Sequence, residues 1–452
     1  MGGGSPVFER RPTSAQLSNA HLCLEPGTPG LLATLGCDMV AFGTLSRSSV
    51  FMNPIGLFPL LDDAELAALF SDIAAALRAH RFNDTISLPH PGSPWHAFFD
   101  AGNLRRYLNG QANSYESSSV APMFYRAFAR KNADVMPLFE AFAINRVVSR
   151  QSLERVMPAG LVERLITLGV LVPSEGGWLS RLTATPVGSR IFFHDNSLIF
   201  EHEKPDHVFL GRCSTRLAER VAEAHAGRRF GRGLDLCTGS GVQAMNMSGA
   251  CDQVVGGDVN LRALAYARAN AQVNGVKNAT FVRSDLFTSI EGKFDIITAN
   301  TPFLLLPEGS KALSGNGGHL GIELAVRLFE GLDAHLEPGG LSLVVASTVI
   351  IDGRNVFEEK LRDIFGGSGY EIDLFPINTY YMRSMHADYQ KHGVEKCHLY
   401  IVETRKVGGS QLSLRVHEWP PLVELAYKIQ VTRMRFQGWA ASRRRASSEL
   451  HG

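Results

Sequence analysis

The chain lacks most of the features that would place it in a specialised class. Its six cysteines, Cys23, Cys37, Cys213, Cys237, Cys251 and Cys397, form no CxxC pair. That argues against a zinc site or a disulfide framework, and for a reducing, cytoplasmic compartment. No metal site is expected. No run reaches the ~18 apolar residues that a membrane span requires. The opening MGGGSPVFERRPTS is not followed by an apolar stretch, so no signal peptide is expected. Net charge is also scarce, at +1 over 452 residues. There is no global pull toward nucleic acid or an acidic membrane, although a local basic patch stays open.

What is present is an ordinary globular composition, 45% hydrophobic and 20% charged. The length suits two or three domains of about 100–200 residues. Residues 1–134 read as a helical N-terminal region behind a polar Gly/Ser-rich start. Asp62 and Asp63 open a helix whose Leu66, Leu69, Phe70, Ile73 and Leu77 share one face. Residues 83–120, rich in Pro, Gly, Asn and Ser, read as loop. Residues 135–205 form a second unit. PLFEAFAIN reads as helix, Ser149 caps a short helix, and Pro158 begins another that Gly169 stops. Two short strands follow around Ser174-Glu175-Gly176-Gly177. Helix, helix and strand pair is a winged-helix-like layout. Arg164 is the sole cation of its expected recognition helix, 159–168, which weighs against DNA binding.

From Arg232 the texture alternates. The runs GLDLC, QVVGGD, ATFVRS, FDIITAN and LSLVVAS are separated by helical segments such as NLRALAYARANAQV and GIELAVRLFEGLDAHL. Such alternation predicts a parallel sheet with helices on both faces. YEIDLFPIN and KCHLYIVET would complete it. This α/β domain spans 206–407, and 408–452 reads as a C-terminal extension. There the cluster Arg443-Arg444-Arg445 reads as a solvated tail.

Several motifs carry chemistry. Asp235-Leu236-Cys237-Thr238-Gly239-Ser240-Gly241 closes the first strand. Its glycines permit a tight turn and close approach of backbone to a ligand, as dinucleotide enzymes also require. Asp258, followed by Val259, ends the second strand, where a carboxylate can accept both hydroxyls of a ribose. Asp285, followed by Leu286, comes after the third. It can accept from an adenine amino group or cap a helix. Asn300-Thr301-Pro302-Phe303 directly follows the fourth strand.

With that fourth motif the chain resembles class I S-adenosylmethionine-dependent methyltransferases of the (N/D)PP(Y/F) type. DVNLRALAYARANAQVNGV, SDLF and GG-x(17)-LEPGG resemble the release-factor glutamine-amide and ribosomal RNA guanine-N2 branches in particular. The resemblance implies a Rossmann-like, seven-stranded class I domain with S-adenosylmethionine as cofactor. Gly239 and Gly241 would pack against its methionyl part, with Asp235, Cys237, Thr238, Val259 and Leu286 nearby. Asp258 would hold the ribose and Asp285 the adenine. Asn300 and the Thr301 carbonyl would accept hydrogen bonds from the target group, and Phe303 would lie over a planar substrate. Two acceptors gripping a planar nitrogen aim its lone pair and stabilise the charge that develops.

The departure is Thr301, where the family has proline. Losing the ring is expected to loosen the turn, although Pro302 still restrains Thr301. Together with the near-neutral charge and the large N-terminal region, this makes the expected substrate a small metabolite, methylated at nitrogen or at a thioether sulfur. The alternatives are RNA (guanine or adenine) or protein glutamine, and, further off, a non-catalytic winged-helix regulator. A Gly-rich segment, 304–319, would close over the substrate. His319 is a candidate base. Tyr380 and Tyr381, with Met385, His386 and Tyr389, are candidates for a substrate pocket. A homodimer through the N-terminal region is a further expectation.

Overall fold

The computed structural model describes residues 61–85, 129–196, 206–306, 309–310, 312–381 and 387–418. The Gly/Ser-rich start, most of 83–120, Met385, His386 and the Arg443–Arg445 cluster lie outside them. Among the described residues, no helix is long and apolar enough to cross a membrane.

Helix α1 (Asp63–Ala79) begins where the two aspartates predict. Asp62 accepts from the Glu65 amide at 2.8 Å, and Glu65 accepts from the Asp62 amide at 3.2 Å. This reciprocal cap satisfies two otherwise unpaired donors. Leu66, Leu69, Phe70, Ile73 and Leu77 are all buried. The Phe70 ring meets Phe193 at 4.6 Å and Tyr266, edge-on, at 5.1 Å. A short α2 (Phe82–Thr85) follows.

PLFEAFAIN is helical, as α3 (Met136–Leu138) running into a π-helical turn, Phe139–Ala143. Ser149 caps α4 (Arg150–Glu154), accepting from the Ser152 amide at 3.1 Å. Helix α5 (Leu161–Thr167) starts after Gly160 rather than at Pro158. Arg164 is engaged by Asp72 at 2.5 Å. Four strands follow where two were expected. β1 (Leu171–Ser174) pairs with β2 (Gly177–Ser180), and β3 (Leu182–Val187) pairs with β4 (Arg190–Asp195). Leu182, Thr183 and Ala184 are buried in succession. A strand covered on both sides has no alternation to read.

Beyond α6 (Arg212–Ala224), the strands β5 (Phe230–Leu236), β6 (Cys251–Asp258), β7 (Ala279–Arg283), β8 (Phe294–Asn300) and β9 (Leu336–Ile351) are parallel. Then β12 (Val394–Lys406) joins β9 antiparallel, and β11 (Tyr370–Tyr381) joins β12 antiparallel. These seven form the expected Rossmann-like sheet, in the order β11-β12-β9-β8-β5-β6-β7. Two more strands bring it to nine: β10 (Arg354–Asn355) against β9, and β13 (Leu412–Val416) beside β11. Helices α7 (Val242–Met247), α8 (Leu261–Val273), α9 (Glu323–His335) and α10 (Val356–Phe365) connect the strands, and α11 (Ala387–Lys391) lies between β11 and β12. Strand order reverses between β5 and β8. In an open sheet a ligand crevice opens at the carboxyl ends of the strands flanking such a reversal.

Candidate cofactor and acceptor site

A cavity of about 590 Å³ opens at that reversal, within the size range of small-molecule sites. Its floor is the turn after β5. Cys237 and Gly239 both take positive φ, 52° and 53°. A Cβ on Gly239 would meet only the Phe209 carbonyl, at 3.8 Å, so the backbone lies open to the cavity. Gly241 serves packing instead. At φ 85° it caps α7, and an added Cβ would lie 2.6 Å from Met245 Cε and 3.1 Å from Ala267. It is absent from the cavity lining.

Asp235 is also set back from the cavity. It lies buried beneath the turn and accepts from Thr238 Oγ1 (2.6 Å), Thr298 Oγ1 (2.9 Å) and the Ala244 amide (3.1 Å). Burial pushes its pKa up to about 7, against the pull of those three donors. It braces the turn from below. Asp258 reaches the cavity wall. One oxygen accepts from the Gly239 amide and the other from the Asn260 amide, each at 2.9 Å. Burial raises its pKa too, while these backbone donors restrain the rise. A carboxylate offers about four acceptor positions, so the backbone donors of Gly239, Asn260 and Val259 leave it capacity for a ligand. Thr238, Val259, Asp285 and Leu286 complete this side. Asp285 is ion-paired with Arg327 at 2.9 Å, both half-exposed.

At the opposite rim, the Asn300 amide nitrogen donates to Ser214 Oγ at 2.8 Å. Its carbonyl oxygen is buried and has no hydrogen-bond partner among the described residues. A buried acceptor left open in this way is costly, and it points to a ligand that fills it. Pro302 and Phe303 line the cavity beside it. Of the expected loop, Leu304 pairs with the glycines that come later in it: the Leu304 amide donates to the Gly315 carbonyl (2.7 Å), and the Gly317 amide to the Leu304 carbonyl (2.8 Å). The Leu305 amide donates to Tyr389 Oη at 2.8 Å. His319 stands apart. Its amide donates to Glu323 at 2.9 Å, its ring meets His392 edge-on at 5.3 Å, and it does not line the cavity. Tyr380 and Tyr381 end β11, and their side chains lie outside the described residues.

Residues 192–368 match the family model of the methyltransferase small domain. This segment is a methyltransferase small domain. Over 127 residues the chain is 33% identical to a putative protein N5-glutamine methyltransferase of Methanocaldococcus jannaschii, covering 27% of this chain and 61% of the relative. Over 187 residues it is 30% identical to a release factor glutamine methyltransferase of Thermodesulfovibrio yellowstonii, covering 35% and 66%. The chain thus spans less than two thirds of the length of each. Among solved structures, the 16S rRNA N2 guanine methyltransferase of T. thermophilus, in complex with AdoMet and guanosine, aligns at 22% identity and TM-score 0.33. That alignment covers 54% of this chain and 60% of the other.

The residues of the methyltransferase domain fit a nucleoside cofactor by their chemistry: the open turn at Gly239 and the carboxylate of Asp258 line the same cavity. Several lining residues had escaped the sequence reading. His207 and Phe209 come from the segment before α6, Ser214 from α6 and Leu324 from α9. Their distance along the chain from the motifs left no local signal.

Thr301 in the methyltransferase domain is not loosened by the absence of a prolyl ring. It is buried, and its hydroxyl donates to the Val345 carbonyl on β9 at 2.7 Å. A side-chain tether to the neighbouring strand takes over the restraint. Thr301→Val should therefore lower unfolding free energy by about 1 kcal/mol, with cofactor affinity unchanged. Denaturant melts paired with calorimetry would check this, and an unaltered melt would remove the tether from the account.

Proposed function

We propose that the chain methylates the side-chain amide nitrogen of a protein glutamine, using S-adenosylmethionine. The carrying observation is the buried, unpartnered carbonyl oxygen of Asn300 at the cavity rim. Ser214 fixes the amide so that this oxygen stays presented. Such an acceptor suits an N–H of a planar amide, a poor nucleophile that needs aiming. When bound, the cofactor supplies a sulfonium methyl: the N–C bond forms as the S–C bond breaks, the pair stays on sulfur, and the nitrogen releases one proton to solvent. Asp258 holds the nucleoside end, and Asn300 with Phe303 orients the amide.

The sequence alone favours a small metabolite on three grounds: the departure at Thr301, the near-neutral charge and the large N-terminal region. With the Thr301 hydroxyl engaged by β9, that departure adds no free group to the site, and the first of these grounds falls away. The glutamine methyltransferases among the relatives support the protein reading instead. Among the described lining residues, the only lysine or arginine is Arg283. The rim carries Leu304, Leu305, Leu306 and Leu313. A rim of this kind suits a polypeptide better than a phosphate backbone.

The test is methyl transfer to glutamine-bearing proteins in a ribosome and release-factor fraction, with digestion and mass spectrometry to place the methyl group. Incorporation at glutamine is expected. Incorporation confined to RNA, or to metabolites, would replace this reading.

A further inference from the structure

Three side chains of α8, Arg262, Tyr266 and Asn270, and that of Asn274, which caps its C-terminal end, stand four residues apart. Opposite them stand three residues of β4 spaced by two: Asp195, Phe193 and Ile191. Arg262 donates through both terminal nitrogens to Asp195, and Tyr266 Oη donates to the same carboxylate at 2.9 Å. Asn270 accepts from the Phe193 amide at 2.9 Å and donates to the Phe193 carbonyl at 3.0 Å. Asn274 treats Ile191 likewise, at 3.1 and 2.8 Å. The match is geometric. Four helical residues rise about 6 Å, and two strand residues rise roughly 6.6 Å. The helix side chains thus occupy the hydrogen-bonding edge of β4 that β3 leaves open.

This polar seam reaches the cavity at two points. Asn270 also donates to the Ser240 carbonyl, in the glycine turn, at 3.0 Å. Asp195 accepts from the Val208 amide at 2.8 Å, while its own amide donates to the Val208 carbonyl at 2.9 Å. Arg262 donates to the Asp206 carbonyl at 3.3 Å. His207, Val208 and Phe209 line the cavity opposite Gly239. Residues 207–210 belong to no helix or strand, so their backbone depends on these contacts for its shape. Asp195 is fully buried, and burial would raise its pKa. Arg262 and His207 beside it overcome that and hold it below the usual carboxylate range.

We infer that Asp195 and Arg262 are positioning residues for the cofactor: their ion pair sets the 206–209 wall against the bound nucleoside before it arrives. Ordering that wall at the moment of binding would otherwise weaken affinity. The inference rests on the proposed function only for the identity of the ligand.

Arg262→Lys keeps the charge and loses the two-pronged geometry. In the full chain it should raise Kd and KM for S-adenosylmethionine about tenfold. At saturating cofactor, kcat should stay within about twofold, and amide exchange at Val208 should quicken. Asn274→Ala cuts the seam at its far end, and should lower the melting temperature without moving Kd. Should Arg262→Lys fail to fold, Tyr266→Phe removes one hydrogen bond and leaves the ion pair, and should give a smaller rise in Kd. Lower melting temperatures with unchanged Kd in Arg262→Lys or Tyr266→Phe would overturn the inference and leave the seam a brace. Wild-type protein that binds no S-adenosylmethionine would instead overturn the cofactor reading. Exchange at Val208 then still decides whether the pair sets the wall, and unchanged exchange would overturn that as well.

Discussion

Replacing Asn300 with alanine should cut turnover by about 10²–10³-fold, the usual loss when one preorganised stabilising group is removed. Affinity for S-adenosylmethionine should change little. The asymmetry follows from where the residue stands. Its amide nitrogen donates to Ser214 and its carbonyl oxygen is buried without a partner, whereas the carboxylate of the cavity wall belongs to Asp258. It therefore contributes to orienting the acceptor nitrogen rather than to holding the nucleoside. Single-turnover assays at saturating cofactor, with calorimetry beside them, separate the two. Undiminished turnover in the variant would remove Asn300 from the reaction. Ser214→Ala offers a graded companion: the oxygen remains but its aim loosens, so a smaller loss is expected.

Asp258→Ala should produce the opposite pattern, with cofactor affinity falling at least about a hundredfold. Two hydrogen bonds to an ionised carboxylate are worth about 1.5–3 kcal/mol each, and 1.4 kcal/mol is tenfold. The effect should carry a pH signature. Burial raises the Asp258 pKa above that of a surface aspartate. Acceptance by the carboxylate is complete above that raised value and is lost as pH falls through it. Affinity should thus start to decline at a higher pH than a surface carboxylate would give, and the alanine variant should lose that limb of the profile. Equal Kd in the two proteins would remove Asp258 from the cofactor site.

Much of this was legible in the residues themselves. The Asp62–Glu65 cap, the buried stripe of α1 and the alternation of β5 to β9 are local signals, readable within a window of a few turns. The motifs at Gly239, Asp258 and Asn300 were readable because each ends a strand, and strand ends converge on one edge of a parallel sheet. What stayed hidden depends on contacts between distant residues. Ser214 meets Asn300 across 86 positions, and nothing near either residue announces the other. Gly241 looks like a ligand-facing glycine, but the crowding around it comes from Met245 and Ala267. Thr301 looks like a lost constraint until the Val345 carbonyl is placed beside its hydroxyl. The β3–β4 hairpin was missed because burial on both faces erased its alternation.

The engagement of β4 by α8 bears on how the chain can be divided. Strand alternation suggests that the catalytic half begins near Asp206, and a shortened protein starting there would be a natural choice for expression. Such a protein would lose Asp195, stranding the Arg262 guanidinium in a site shaped to receive a carboxylate. It would also bare Tyr266 and the apolar flank of α8 that Phe70 and Phe193 cover. Poor solubility and feeble nucleoside retention in that truncate would then reflect a missing partner surface rather than defective catalytic residues.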